Sequence, residues 1–380
     1  MGLCNSLLLV LLASSPGIVS ARTVLPVLGS HHYDVTVASA SLTDHSRLDP
    51  YANNSSPRSV VVSSFHPVTH CRRRKIDSYM PPATANFMDT KFGAYGLPNG
   101  SFQSLGLETC VTPARQDACS SHLLPVVLFS GALATSRHLY NAMLQNIASA
   151  GYLVLSIDHP YDADMVEFPD GTIVTGVEID SDADIELALS TRVADIEFVS
   201  NQIYNVSASK DLFPTGLRRE RVSKMAVVGH SLGGAAAATA MMNMPSLRGG
   251  VNLDGSMFGS VLTTGFDGLF MLMGHENKTQ ETDPSWKTLW PHLVGWKKEF
   301  EVKNAAHYSF SDLPLVITAL GLDGKLPAEV GELLGNIEGR RMTTLVTEYV
   351  ATFLDMTLKK GKEGAFSKVG DQFPEVSEVA

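Results

Sequence analysis

Cysteine is scarce in this chain, with four in 380 residues. So few exclude a small fold stapled by disulfides. No Cys/His spacing resembles a zinc site either, since Gly274-His275-Glu276-Asn277 lacks the second histidine of a His-Glu-x-x-His helix. Basic charge is also short: 29 Lys and Arg stand against 39 Asp and Glu, for a net charge of −10. With no long basic stripe, this balance argues against nucleic acid as a partner. The one basic run, Arg72-Arg73-Arg74-Lys75, reads as a solvated loop, with contact to a phosphate or an anionic lipid as the other reading. Charged residues make up only 18% and hydrophobic ones 44%, which excludes a disordered chain and fits a packed globular one. The apolar run Leu7 to Ala13 is too brief to span a bilayer.

That run has the form of a secretory signal. Ser14, Ser15, Pro16 and Gly17 break it, and Val19-Ser20-Ala21 offers small residues for cleavage before Arg22, although no Lys or Arg precedes it. Residues 1–21 are therefore expected to be removed and the protein to be secreted. Five sequons fit that compartment, at Asn53, Asn54, Asn99, Asn205 and Asn277. Without Cys4, three cysteines remain. Cys110 and Cys119 are close enough to bridge a loop, which leaves Cys71 free or paired otherwise.

From Leu124 onward, strand and helix patterns alternate. Leu124–Ser130, Tyr152–Ile157, Met225–Val228, Gly250–Asp254, Leu269–Met273 and Glu299–Val302 read as short apolar strands. Arg137–Ala150, a long stretch around Ile185–Ile203, and Thr343–Leu358 carry apolar residues at helical spacing. The expectation is an α/β fold, a mostly parallel central sheet with helices on both faces. It would form one domain over 22–358, with a core at about 124–320 and a lead-in over 22–120. Within the lead-in, Tyr33–Val37 and Val60–Phe65 read as strands. Tyr79–Gly106, rich in Pro, Gly, Ala and Asn, reads as an irregular excursion. Residues 359–380 are polar and are expected to form a flexible tail.

One stretch carries chemistry. Val227-Val228-Gly229-His230-Ser231-Leu232-Gly233-Gly234 is a buried strand, a Gly-x-Ser-x-Gly turn and an alanine-rich helix start. This is the nucleophile elbow of an α/β-hydrolase, in which a sharp turn presents a serine hydroxyl that a neighbouring base activates. In this fold the triad follows the chain order Ser, Asp or Glu, His. Asp254 ends a strand 23 residues after Ser231, whereas Asp267 and Asp283 lie in turn-like segments. For the base, His307 follows a strand across the small loop Lys303–Ala306. His275 suits the pocket lining or a turn, and His292 suits packing or surface. The ring of His230 should point away from substrate. Oxyanion amides are expected from Leu232 and from the loop after the first core strand, Ser130–Ala134. Trp286 and Trp290, one helical turn apart with Trp296 nearby, read either as an apolar lip for a lipid or aromatic ester or as core packing.

Four segments together carry a more specific resemblance. They are Leu128–Tyr140 with Ala148–Tyr152 and Asp158-His159; Gly229–Gly234; Gly250–Asp254; and Ala306–Asp312. In order and spacing the chain resembles the platelet-activating factor acetylhydrolase family (the plasma and intracellular type II lipases), in a fungal-type member. The resemblance implies Ser231 as nucleophile, His307 as base, Asp254 as its orienting acid, and Leu133 and Leu232 as oxyanion amides. It implies no metal and no other cofactor, a small-molecule or lipid ester as substrate, and transient contact with a membrane or micelle surface. It leaves the oligomeric state open. Gly131-Ala132 replaces the family's His-Gly before the oxyanion leucine, and Gly255-Ser256 stands where an aromatic is expected, implying a wider pocket. The readings kept beside this one are a secondary-metabolism hydrolase for an ester, lactone or polyketide intermediate, and a non-catalytic binding protein on the same fold.

Overall fold

The computed structural model describes residues 22–29, 33–69, 71–111, 124–203, 212 and 222–380. The proposed signal 1–21, Cys119 and Asn205 lie outside the described residues.

The apolar segments assemble into one sheet of nine strands. In chain order they are β1 (Asp34–Leu48), β2 (Pro57–Val68), β3 (Leu124–Ser130), β4 (Leu153–Asp158), β5 (Val222–His230), β6 (Leu247–Leu253), β7 (Leu269–His275), β8 (Lys297–Val302) and β9 (Val376–Glu378). Their spatial order is β9-β8-β7-β6-β5-β3-β4-β2-β1. Strands β3 to β8 pair in parallel, while β1, β2 and β9 pair antiparallel. Chain order and spatial order reverse between β3 and β5, so the carboxyl ends of these strands open a crevice at that point, where ligands of open α/β sheets bind.

The main helices are α1 (Pro82–Gly93), α2 (Asn141–Ser149), α3 (Asp182–Gln202), α4 (Leu232–Asn243), α5 (Gly339–Leu358) and α6 (Ala365–Gly370). Alternate residues of each central strand feed two separate cores. Val127, Phe129 and Val228 face a core closed by α2 and α5. Val126, Leu128 and Val227 face one closed by α3 and α4. Covering on both faces explains why these strands are continuous apolar runs and not alternating ones. Helix α3 starts at a capping box in which Ser181 and Asp184 satisfy each other's backbone amides. Among the described residues, no helix is long and apolar enough to cross a membrane.

Several expectations need correction. Tyr79–Gly106 is not wholly irregular, because α1 forms within it, started by Pro82 at its first turn. The segment 359–380 is not a loose tail. Helix α6 buries Phe366 and Val369, Phe373 packs on Tyr349, and β9 pairs with β8. A few aromatics spaced among charges suffice to dock it, and bulk polarity hid them. The disulfide joins Cys71 to Cys110, 39 residues apart, with Cα atoms 5.6 Å from each other. Sequence proximity favoured Cys119 as the partner. The pairing of Arg74–Ser78 against Leu105–Cys110 instead brings Cys71 to Cys110. The basic run itself is exposed, and Arg74 and Lys75 lie in that strand.

Candidate active site

The strand–turn–helix at β5 and α4 forces Ser231 into an unusual conformation, φ 57° and ψ −125°. Such backbone is strained for a residue with a Cβ and persists only where its surroundings impose it. Here the Ser231 N–H donates to the Leu253 carbonyl at 2.9 Å, and helix α4 starts immediately. A methyl group on Gly229 would lie 1.9 Å from the Gly233 carbonyl oxygen, so this tight reversal requires glycine there.

Asp254 closes β6 with φ 62°, and its N–H donates to the Met273 carbonyl at 2.8 Å. Its carboxylate is buried and accepts three donors. The His307 Nδ1–H reaches Oδ2 at 2.5 Å, and the backbone N–H and Nδ1–H of His275 reach Oδ1 at 2.9 and 2.6 Å. Burial alone would raise this carboxyl, but the hydrogen bonds from His275 and His307 outweigh it and bring it down to about 2. The other ring nitrogen of His307, Nε2, lies 3.0 Å from Ser231 Oγ. Hydroxyl, imidazole and carboxylate thus form one hydrogen-bonded line. Nδ1 donates to the acid, which leaves Nε2 as the acceptor facing the serine.

His307 sits on a short 3-10 turn after β8 that is tied down from two sides. Ser309 Oγ accepts from the Ala306 N–H at 2.8 Å and donates to the Leu334 carbonyl at 2.7 Å. Five residues on, the Asp312 carboxylate accepts from the Ala142 and Met143 amides at the start of α2 and from the Tyr79 hydroxyl. Burial pushes Asp312 up to about 7 despite those donors.

His230 points away from the nucleophile, into the protein. Its Nε2 lies 2.9 Å from the His307 carbonyl, which can only accept, so Nε2 carries the hydrogen. Nδ1 is then the acceptor for the Tyr140 hydroxyl at 2.9 Å, and that oxygen in turn accepts the Ala132 N–H at 2.9 Å. Burial, reinforced by the neighbouring His307, lowers His230 to about 3 and keeps it neutral. This relay joins the loop after β3 to the backbone of the base. His230, Asp254 and His307 lie close enough together to suggest a metal site. Both nitrogens of His230 are already committed to protein partners, so it is not an available ligand.

In the loop after β3, the Gly131, Ala132, Leu133 and Ala134 carbonyls all accept hydrogen bonds, and the Ala132 and Ala134 amides both donate. Among the described residues, no protein acceptor takes the Leu133 N–H or the Leu232 N–H at the first turn of α4. Amides left unpaired by the protein are the kind of donor that a developing oxyanion needs.

The structure therefore brings Ser231, Asp254 and His307 together, with Leu232 directly after the serine at the start of α4, and Leu133 lies in the loop that leaves the neighbouring strand β3. It places the tryptophans differently. Trp286 is fully buried, and its indole N–H donates to the Gly255 carbonyl at 2.7 Å, so it packs beneath the acid turn and forms no lip. Trp290 is half-buried with Lys297 Nζ 4.7 Å from its ring centre, and Trp296 stacks on Phe366. His275 binds the Asp254 carboxylate instead of simply lining a pocket. Asp283 caps the short helix Pro284–Leu289 and pairs with Lys278, and Asp267 is exposed. Asn53, Asn54, Asn99 and Asn277 are exposed. Sequence reasoning missed Tyr140, which looked like one more apolar position on a helical stripe. It also missed Arg192, whose contacts come from 60 residues away.

A serine elbow on a doubly covered parallel sheet, with an aspartate at the end of the next strand, β6, and a histidine after β8, defines an α/β-hydrolase. The family model for platelet-activating factor acetylhydrolase, isoform II, matches residues 99–167 and 200–369. A protein of Arthroderma benhamiae named "Probable 1-alkyl-2-acetylglycerophosphocholine esterase" is 31% identical over 357 residues, 88% of each chain. A solved structure, the ferulic acid esterase from Streptomyces cinnamoneus, superposes with a TM-score of 0.77 at 25% identity, covering 95% of this chain and all of that one. The chain belongs to the platelet-activating factor acetylhydrolase isoform II family and is a carboxylic ester hydrolase.

Proposed function

We propose that the chain is a cofactor-independent serine esterase that cleaves a short-chain phospholipid or related lipid ester through an acyl-enzyme. Ser231 Oγ attacks the ester carbonyl as His307 Nε2 takes its proton, and Asp254 stabilises the imidazolium. The Leu133 and Leu232 amides hold the oxyanion. His307 then protonates the leaving alcohol, and water attacks the acyl-serine by the same route. The observation that carries this reading is the unbroken line from Ser231 Oγ to His307 Nε2 at 3.0 Å and from His307 Nδ1 to Asp254 Oδ2 at 2.5 Å.

The test is labelling with a fluorophosphonate, together with turnover of acetyl and long-chain phospholipid esters and of feruloyl esters. The expected result is one adduct on Ser231, lost in Ser231→Ala, and faster turnover of acetyl than of long-chain phospholipids. An unlabelled serine in the folded protein overturns the enzyme reading, and preference for a feruloyl ester overturns the lipid one. Secretion and glycosylation belong to the same proposal. They are supported by the 1–21 segment, the exposed sequons and the Cys71–Cys110 bridge, which suits an oxidising compartment. Expression in a eukaryotic host should yield a culture-medium protein that drops in mass on treatment with an N-glycosidase; an intracellular product of unchanged mass would refute it.

A further inference from the structure

Arg192 lies on α3, behind the loop that follows β3, and is almost completely buried. A guanidinium has five N–H donors in a rigid fork, and here all five have acceptors. Nε donates to Asp162 Oδ2 at 2.6 Å, and one Nη2 hydrogen goes to Asp162 Oδ1. The remaining three go to the loop: Nη1 to Ser130 Oγ at 3.0 Å and the Gly131 carbonyl at 2.5 Å, and Nη2 to the Ala132 carbonyl at 3.2 Å. Asp162 also reaches the loop with its own backbone carbonyl, which accepts the Ala134 N–H at 3.1 Å.

The geometry of the peptide unit turns these contacts into a direction. In a trans peptide the C=O and the following N–H point opposite ways, and no described peptide is cis. Holding the Ala132 carbonyl toward Arg192 therefore aims the Leu133 N–H away from it. A loop free to rotate this peptide would bury the amide or turn a carbonyl toward the nucleophile, and a carbonyl facing an oxyanion repels it. From the other side the Ala132 N–H is held by Tyr140, so both peptides flanking Ala132 are fixed.

We propose that Arg192, anchored by Asp162, is the positioning residue that sets the oxyanion loop and makes the Leu133 N–H available to the transition state. The proposal rests on the serine-esterase reading above. Lysine cannot replace it, because one ammonium cannot fork onto two carbonyls while holding a bidentate carboxylate.

The experiment compares wild type, Arg192→Lys and Arg192→Met. It measures kcat and KM on a short aryl ester, the affinity of a trifluoromethyl ketone that forms a hemiketal oxyanion on the serine, thermal unfolding, and fluorophosphonate labelling. Both variants should lose about 10²–10³ in kcat, the cost of one oxyanion donor, with KM changed less than about threefold. The ketone should lose affinity by a comparable factor, and the alkaline plateau of the pH profile should not move. If Arg192→Met does not fold, Arg192→Lys decides, since it keeps a charge opposite Asp162. A folded Arg192→Lys with kcat within about fivefold of wild type overturns the proposal, as does a variant whose ketone affinity holds while kcat falls. Failure of the wild type to label at Ser231 refutes instead the esterase reading beneath it.

Discussion

Replacing Asp254 by asparagine changes one atom pair in the site, and the structure dictates the consequence. The carboxylate accepts two donors from His275 on Oδ1 and one from His307 on Oδ2. An asparagine has one accepting oxygen and one donating NH2. Turning its oxygen toward His275 satisfies two donors, whereas turning it toward His307 would set the NH2 against both His275 donors. The first orientation therefore wins, and it presents the NH2 to His307 Nδ1. His307 must then accept at Nδ1 and carry its proton on Nε2, 3.0 Å from Ser231 Oγ. A protonated Nε2 cannot take the serine proton. The expected loss in kcat is about 10⁴, or about 5.5 kcal/mol at 1.36 kcal/mol per tenfold, with thermal unfolding little changed because the shape is conserved. Aryl acetate hydrolysis near pH 8, with Ser231→Ala as the floor, measures it. Removing only the competing ring donor, in His275→Ala, which keeps the backbone N–H on Oδ1, should cost less than tenfold. An Asp254→Asn enzyme within tenfold of wild type would refute the orientation argument.

Further outcomes follow from the packing. Reducing the Cys71–Cys110 bridge, or replacing both cysteines by serine, frees a loop of 39 residues and should destabilise the fold by about 4 kcal/mol, read from urea unfolding. Gly255→Ala should abolish hydrolysis and lower the melting temperature, because its methyl would sit 2.0 Å from the Ser231 carbonyl oxygen; a soluble, active variant would contradict the described turn. His230 titrates near 3 when folded, below its ordinary value of about 6.5. Its stabilising share is thus complete above about pH 6.5 and drains away as the pH falls toward 3, at up to about 1.4 kcal/mol per pH unit. Denaturation midpoints at pH 7 and 5 should fall further for wild type than for His230→Asn, and equal shifts would refute the neutral buried ring.

How much of this was legible in the sequence depended on where each interaction partner lies. The elbow could be read because its constraints are local: Gly229, Ser231 and Gly233 are neighbours that a turn demands together. Asp254 and His307 followed from chain order and strand ends, which the fold imposes. Trp286 could not be assigned, since an indole at helical spacing serves a core or a rim equally well, and only the Gly255 carbonyl opposite its N–H decides. The cysteine partner escaped because strand pairing, not distance along the chain, sets it. Arg192 and Tyr140 sat inside unremarkable helical patterns, and the contacts that tie them to the loop after β3 and to His230 span 60 and 90 residues.

The final strand carries a consequence for handling the protein. Backbone bonds from Glu375, Val379 and Ala380 close the outer margin of β8, the strand that leads directly to His307. Clipping off 374–380 would bare a row of ladder donors and acceptors for another copy to grasp. A trimmed preparation should clump and lose turnover together.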